Sequence, residues 1–177
     1  MDFYLALKVL HVIAAAIWVG GGITMLILSA VASQEADRQL AMIRDFSRLG
    51  PIFLPLAILV VLSGGTLVFT GHWGAAPWVL ATLVTVGTSF VLGGAFVGPT
   101  MDRVEKLAAS GDAAGALAVG RPLVKIGRIE QALHIATICL MVAKPGWTGV
   151  AAIAAVAAIC VMAVIVRDHR AGTGVPA

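Results

Sequence analysis

Three stretches of this chain, Phe53–Phe69, Trp78–Val97 and Gly149–Val166, contain no charged residue. Each approaches or reaches the roughly 20 apolar residues needed to cross a hydrocarbon core about 30 Å thick. In lipid a backbone must satisfy its own hydrogen bonds, and long runs of Leu, Ala, Val, Ile and Gly do so as helices rather than as the alternating strands of a barrel. The composition agrees, with 60% apolar and 12% charged residues, whereas a soluble domain carries about a quarter charged residues. The expected fold class is all-α: a polytopic membrane helix bundle in contact with the lipid bilayer.

Hydropathy and breaker residues predict five spans, at about 3–31, 51–70, 77–101, 123–143 and 147–166, within one transmembrane helical domain over 1–170 and a short tail at 171–177. Pro51 and Pro77 mark two of the starts, and Leu123 follows Pro122 at a third. Residues 32–50 alternate charges with Leu40, Ile43, Phe46 and Leu49 at helical spacing, which predicts an amphipathic segment on the membrane surface. Residues 102–122 read as helical extensions around a turn at Gly111. The links Gly71–Ala76 and Lys144-Pro145-Gly146 are short enough to make hairpins. Ala30-Val31-Ala32 resembles a signal-peptidase site, but the apolar stretch before it is far longer than the about 7–15 residues of a signal-peptide core. It reads as a retained first span.

Orientation follows from the basic residues. On one side of the five-span arrangement lie Lys8 and Lys144; on the other lie Arg38, Arg44, Arg48, Arg103, Lys106, Arg121, Lys125, Arg128, Arg167 and Arg170. Positive charge accumulates on the cytoplasmic side, so the N-terminus is expected outside and the C-terminus in the cytoplasm. A bacterial cytoplasmic (inner) membrane is the expected location. The same distribution accounts for the net charge of +3 without nucleic acid as a partner. Cys139 and Cys160 fall at different depths of their spans, which argues against a disulfide.

Ionisable side chains inside a bilayer are costly and are functional candidates by default. The informative ones here are Lys8, His11, Arg128, Glu130 and His134. At about 1.5 Å per residue, His11 lies about 12 Å from the outer end of its span and His134 about 13 Å from the outer end of its own. Two helices that start on opposite sides thus bring one histidine each to a common level. A b-type haem needs that arrangement, with an axial imidazole on each side of the porphyrin plane. Tyr4, Lys8, His11, Ala15, Trp18 and Gly22 recur at three- and four-residue spacing and form one face; Lys8 could pair with a haem propionate and Trp18 could wall the cofactor. Glu130, His134, Thr137 and Met141 form a corresponding stripe. Other chemistry fits the same residues: interhelical hydrogen bonding by the histidines, a non-haem metal, or a proton relay. Glu130 is too short to reach the cytoplasm and must be protonated or paired, with Arg48 and Arg128 as candidate partners. The Gly20-Gly21-Gly22 run fits close helix packing or a cofactor wall. Dispersed methionines give little sign of a copper site.

At Lys8-Val9-Leu10-His11-Val12, followed by Ile17-Trp18-Val19-Gly20-Gly21, the chain resembles the first helix of a superfamily of small bacterial membrane proteins. That group includes the copper-resistance D family, uncharacterised integral membrane proteins of similar length, and the membrane protoporphyrinogen oxidase. Arg128-Ile129-Glu130 through Val142-Ala143-Lys144-Pro145 resembles the fourth helix of that oxidase. There Asn precedes the acidic residue and Pro follows, where this chain has Ile129 and Gln131-Ala132. The resemblance implies haem ligation by His11; His134 is a second imidazole that the oxidase pattern does not demand. The resulting expectation is a b-type haem protein, serving electron transfer or as the haem-bearing subunit of a redox complex, with a membrane redox partner or quinol. Two alternatives stand beside it: a haem-dependent oxidase of a porphyrinogen or quinol with Glu130 as proton acceptor, and a cofactor-free accessory or copper-related transport subunit. A homo-oligomer or a place in a larger complex fits each of them.

Overall fold

The computed structural model describes residues 2–32 and 36–173, and among them every regular element is helical. The helices are α1 (Phe3–Ala32), α2 (Ala36–Thr70), α3 (Pro77–Leu92), a π-helical turn (Gly93–Val97), α4 (Gly98–Ala109), α5 (Ala113–Ala143) and α6 (Trp147–Thr173). Among the described residues five segments are long and apolar enough to cross a membrane: Phe3–Val31, Ile52–Thr70, Pro77–Ala109, Ala113–Ala143 and Trp147–Arg167. The all-α, five-span fold class thus holds. Ser33, and the end of the tail from residue 174, lie outside the described residues.

Two boundaries differ from the sequence reading. The amphipathic segment and the second span form one helix, α2, which runs through Gly50, Pro51 and Pro55. Proline lacks an N–H and normally breaks a helix interior. Here, however, the polar segment before Pro51 has an apolar helical face of its own, with Ile43 buried and Phe46 and Leu49 half-buried, so burial continues across the proline. The fourth span likewise starts well before Leu123. Asp112 caps α5, its Oδ1 accepting from the Gly115 N–H at 2.8 Å, and Pro122 lies inside the helix. The expected turn is present at Gly111, whose φ of +86° suits glycine, which lacks the Cβ that clashes there.

The chain forms two compact units, Met1–Ala75 and Ala76–Ala177. In the first, α1 and α2 pack antiparallel. A Cβ on Gly21 would stand 2.6 Å from Phe53 Cζ, so the aromatic ring rests on α1 where a side chain is missing. Toward the other end of α1, Tyr4 meets Trp73 edge-on, with ring centroids 6.5 Å apart. Of the glycine run, Gly21 therefore serves close packing.

In the second unit α5 packs against α3, α4 and α6. Thr85 Oγ1 of α3 and Thr137 Oγ1 of α5 share a hydrogen bond at 2.7 Å, and each hydroxyl also lies within reach of a carbonyl of its own helix, Thr82 at 3.0 Å and Leu133 at 2.9 Å. Seven residues away along each helix, Lys144 Nζ stands 5.6 Å from the Trp78 ring centroid. Both contacts define one antiparallel register. No described side chain of α6 is buried, and Val156, Ile159 and Met162 are exposed. Exposed apolar surface of this extent is what a helix in contact with lipid presents, because lipid tails are as apolar as the side chains.

Candidate functional site

His11 projects from the middle of α1 and is buried, 7% exposed. The Gly21–Phe53 and Tyr4–Trp73 contacts set the α1–α2 register on either side of it. Its partner in that register is the Ser63-Gly64 pair of α2. His11 Nδ1 lies 3.0 Å from Ser63 Oγ, and Ser63 Oγ lies 2.6 Å from the Leu59 carbonyl oxygen and 3.3 Å from that of Val60. A Cβ on Gly64 would be 2.9 Å from His11 Cε1 and 3.4 Å from Nδ1, so the imidazole lies directly on the α2 backbone. The other ring nitrogen, Nε2, is buried without a hydrogen-bond partner among the described residues. An orphaned polar atom of this kind costs about 1–3 kcal/mol.

The remaining residues of the first-helix face behave as follows. Lys8 is exposed one turn before His11, while Tyr4, Ala15, Trp18 and Gly22 are half-buried. Lys8 therefore has room to extend its amine, and Trp18 sits two turns from the histidine. Sequence reasoning did not select Ser63 or Gly64. The available signal was the Ser63-Gly64-Gly65 triplet in the middle of an otherwise bulky apolar run.

His134 belongs to the second unit, on α5, and is 6% exposed. The buried stripe of that helix is Gln131, His134, Ala136 and Leu140, flanked by half-buried Glu130, Thr137 and Met141. In the register set by Thr85 and Thr137, Ser89 of α3 falls opposite Leu133, beside His134. Ser89 Oγ and Gln131 Oε1 are both buried without a hydrogen-bond partner among the described residues. The π-helical turn begins four residues beyond Ser89, at Gly93. The Gly98 N–H closes that turn on the Gly93 carbonyl, and π-turns inside α-helices frequently mark functional sites. Neither Ser89 nor Gln131 was singled out from the sequence, where each is one polar residue among many.

Arg48, a candidate partner for Glu130, is exposed, with its guanidinium 3.5 Å from Asp45. Cys139 and Cys160 are free, exposed thiols. His72, in the link after α2, is exposed at φ +53°; it borders an open groove of about 420 Å³ with Gly65, Val68, Phe69 and Gly74. Among the described residues no three His, Cys, Asp or Glu side chains gather as a bare metal ion would require.

Residues 5–145 match the model of a family described as predicted integral membrane protein (DUF2269). No curated protein and no solved structure matches the chain.

Proposed function

We propose, from the premise that the chain belongs to this family of integral membrane proteins, that it is a small b-type haem protein of the bacterial cytoplasmic membrane. Its task is electron transfer, alone or as the haem-bearing subunit of a redox complex, with His11 and His134 each a candidate axial ligand. The observation that carries this reading is the buried Nε2 of His11, which has no hydrogen-bond partner among the described residues. Buried polar atoms in native proteins are nearly always paired, and an exception calls for a role such as ligation.

The donor set fits a porphyrin better than a bare ion. A structural or catalytic zinc site takes three or four protein ligands, and the described residues offer no such cluster. Haem brings its own four equatorial nitrogens, so the protein has only to supply axial groups. When bound, it supplies a one-electron iron couple. The protein's own residues have simpler tasks. His11 and His134 would hold the group by ring lone pairs from buried positions; Lys8, exposed one turn from His11, would pair with a propionate; and Trp18 would offer a flat apolar wall.

A second reading, a haem-dependent oxidase of a porphyrinogen or quinol, draws support from Glu130. This carboxyl is half-buried next to buried Gln131 on the same helix, and it would accept the substrate's proton. Purification from cells supplied with haem tests the proposal: a Soret band that responds to reductant is expected. Protein that remains colourless overturns it. A spectrum that turns over with a porphyrinogen or quinol, rather than only with general reductants, favours the oxidase.

A further inference from the structure

We infer that Ser63 fixes the tautomer of His11, placing the proton on Nδ1 and leaving Nε2 as a bare lone pair, and that Gly64 sets the plane of the ring. Ser63 is then a positioning residue for an axial ligand. The tautomer itself follows from the contacts below; only its use toward iron rests on the haem proposal.

A serine hydroxyl has one hydrogen and two lone pairs. Ser63 Oγ stands 2.6 Å from the Leu59 carbonyl oxygen and 3.3 Å from that of Val60, and both of those oxygens can only accept. The single hydrogen is therefore spent on the α2 backbone. Toward His11 Nδ1, 3.0 Å away, Ser63 Oγ has only a lone pair to offer, so Nδ1–H must be the donor. A neutral imidazole carries one N–H, and Nε2 is left unprotonated.

The two other proton arrangements fare worse. If Ser63 turned its hydrogen to Nδ1, the proton of His11 would move to Nε2, which has no hydrogen-bond partner among the described residues. Orphaned buried N–H groups are rarer than under-satisfied acceptors. A doubly protonated ring would have the same orphan N–H. Only the Nδ1–H tautomer leaves a lone pair in that position, and a lone pair is what a metal centre requires. In metal-bound histidines the outer N–H is usually held by a hydrogen-bond acceptor, which fixes tautomer and orientation and raises ligand basicity; Ser63 Oγ occupies that place.

Gly64 supplies the second constraint. Any Cβ there would stand 2.9 Å from Cε1, so the ring can lie against α2 only because residue 64 lacks one. Ser63 fixes the rotation of the ring and Gly64 its distance from the helix.

The test is nitrogen NMR of protein labelled with [15N]histidine, in lipid nanodiscs and prepared without haem, with the His11 signals identified by their loss in His11→Gln. The wild-type protein should show protonated Nδ1 and bare Nε2. Ser63→Ala should lose that preference, and Ser63→Thr, which keeps a hydroxyl, should restore it. In haem-loaded protein Ser63→Ala should release haem about 10-fold faster, the lower end of the 10–100-fold losses seen for such supporting groups. A wild-type His11 protonated at Nε2, or an unchanged tautomer in Ser63→Ala, would overturn the inference whether or not haem binds. If Ser63→Ala does not fold, the wild-type spectrum alone decides. Protein that never takes up haem yet shows the expected tautomer and its dependence on Ser63 overturns the proposed function and leaves this inference standing.

Discussion

Gly64 and Gly65 are neighbours on one helix and should respond to the same substitution in opposite ways. Replacing a helical glycine by alanine favours the helix by about 1 kcal/mol, since glycine loses more backbone freedom on folding. Both variants gain that increment. At Gly65 nothing lies within 4 Å of the added Cβ, so Gly65→Ala should be neutral or stabilised by up to about 1 kcal/mol. At Gly64 the Cβ would stand 2.9 Å from His11 Cε1 and 3.4 Å from Nδ1. Ordinary contact begins near 3.5 Å, so the imidazole must retreat by roughly half an ångström. Its hydrogen bond to Ser63 lengthens as it does so. Overpacking of this kind costs about 1–3 kcal/mol, and since the helix term cancels, the two variants should differ by that amount. Reversible denaturation in mixed micelles, followed by far-UV circular dichroism, reads the difference directly. In haem-loaded protein the axial spectrum should change in Gly64→Ala only. Equal stability of the two variants would refute the contact between His11 and the α2 backbone, and with it the account of how the ring is held.

Three further outcomes are expected. His11→Ala and His134→Ala should each abolish the low-spin haem spectrum, leaving at best a five-coordinate remnant, while His72→Ala leaves it intact; unchanged spectra in the first two would remove both as ligands, and an effect of His11 only would favour the oxidase-like arrangement. In the second unit, a double-mutant cycle with Thr85→Val and Thr137→Val should give a coupling of about 0.6 kcal/mol and no more than about 1.7 kcal/mol, the range measured for hydrogen bonds between membrane helices; zero coupling in thermal denaturation would mean that the two hydroxyls do not share this bond. For topology, a reporter fused after Arg170 should remain cytoplasmic and one inserted near His72 should be translocated, as the distribution of Lys and Arg requires; finding both on one side would exclude the five-span orientation.

The spans were legible because lipid imposes a simple condition: a long charge-free run has to be a helix. The turn at Gly111 and the helix start at Pro77 were legible for equally local reasons. Pro51 misled because its signal is local while the outcome is decided by the face that Ile43 buries a little more than two turns earlier. The burial of His11 and His134 was legible too, since a histidine inside an apolar helix has few alternatives to facing protein. What the histidines touch was not. Ser63 stands 52 residues from His11, and Ser89 falls beside His134 only in the register that Thr85 and Thr137 mark. Serine and glycine carry no periodic signal of their own, and their role appears only when the opposing helix is in place.

The α1–α2 register bears on why a buried nitrogen of His11 can remain without a hydrogen-bond partner among the described residues. A hydrogen bond between membrane helices contributes about 0.6 kcal/mol, too little to dictate how two long helices align. The alignment of α1 on α2 is held by larger contacts on either side of His11. Ten residues toward the C-terminus, Phe53 fills the space over Gly21, and seven residues toward the N-terminus, Tyr4 meets Trp73. Aromatic pairs add about 0.5–1.5 kcal/mol beyond the area they bury. A slip of one residue would rotate each of these partners by about 100° and separate both contacts. The packing thus fixes His11 opposite Ser63 and Gly64, and the cost of the orphaned Nε2 is carried by its neighbours. Had burial alone governed position 11, an alanine or leucine would have filled the seam without that cost. The ligand role proposed for His11 rests on that placement, with one ring nitrogen held at Ser63 and the other without a hydrogen-bond partner among the described residues.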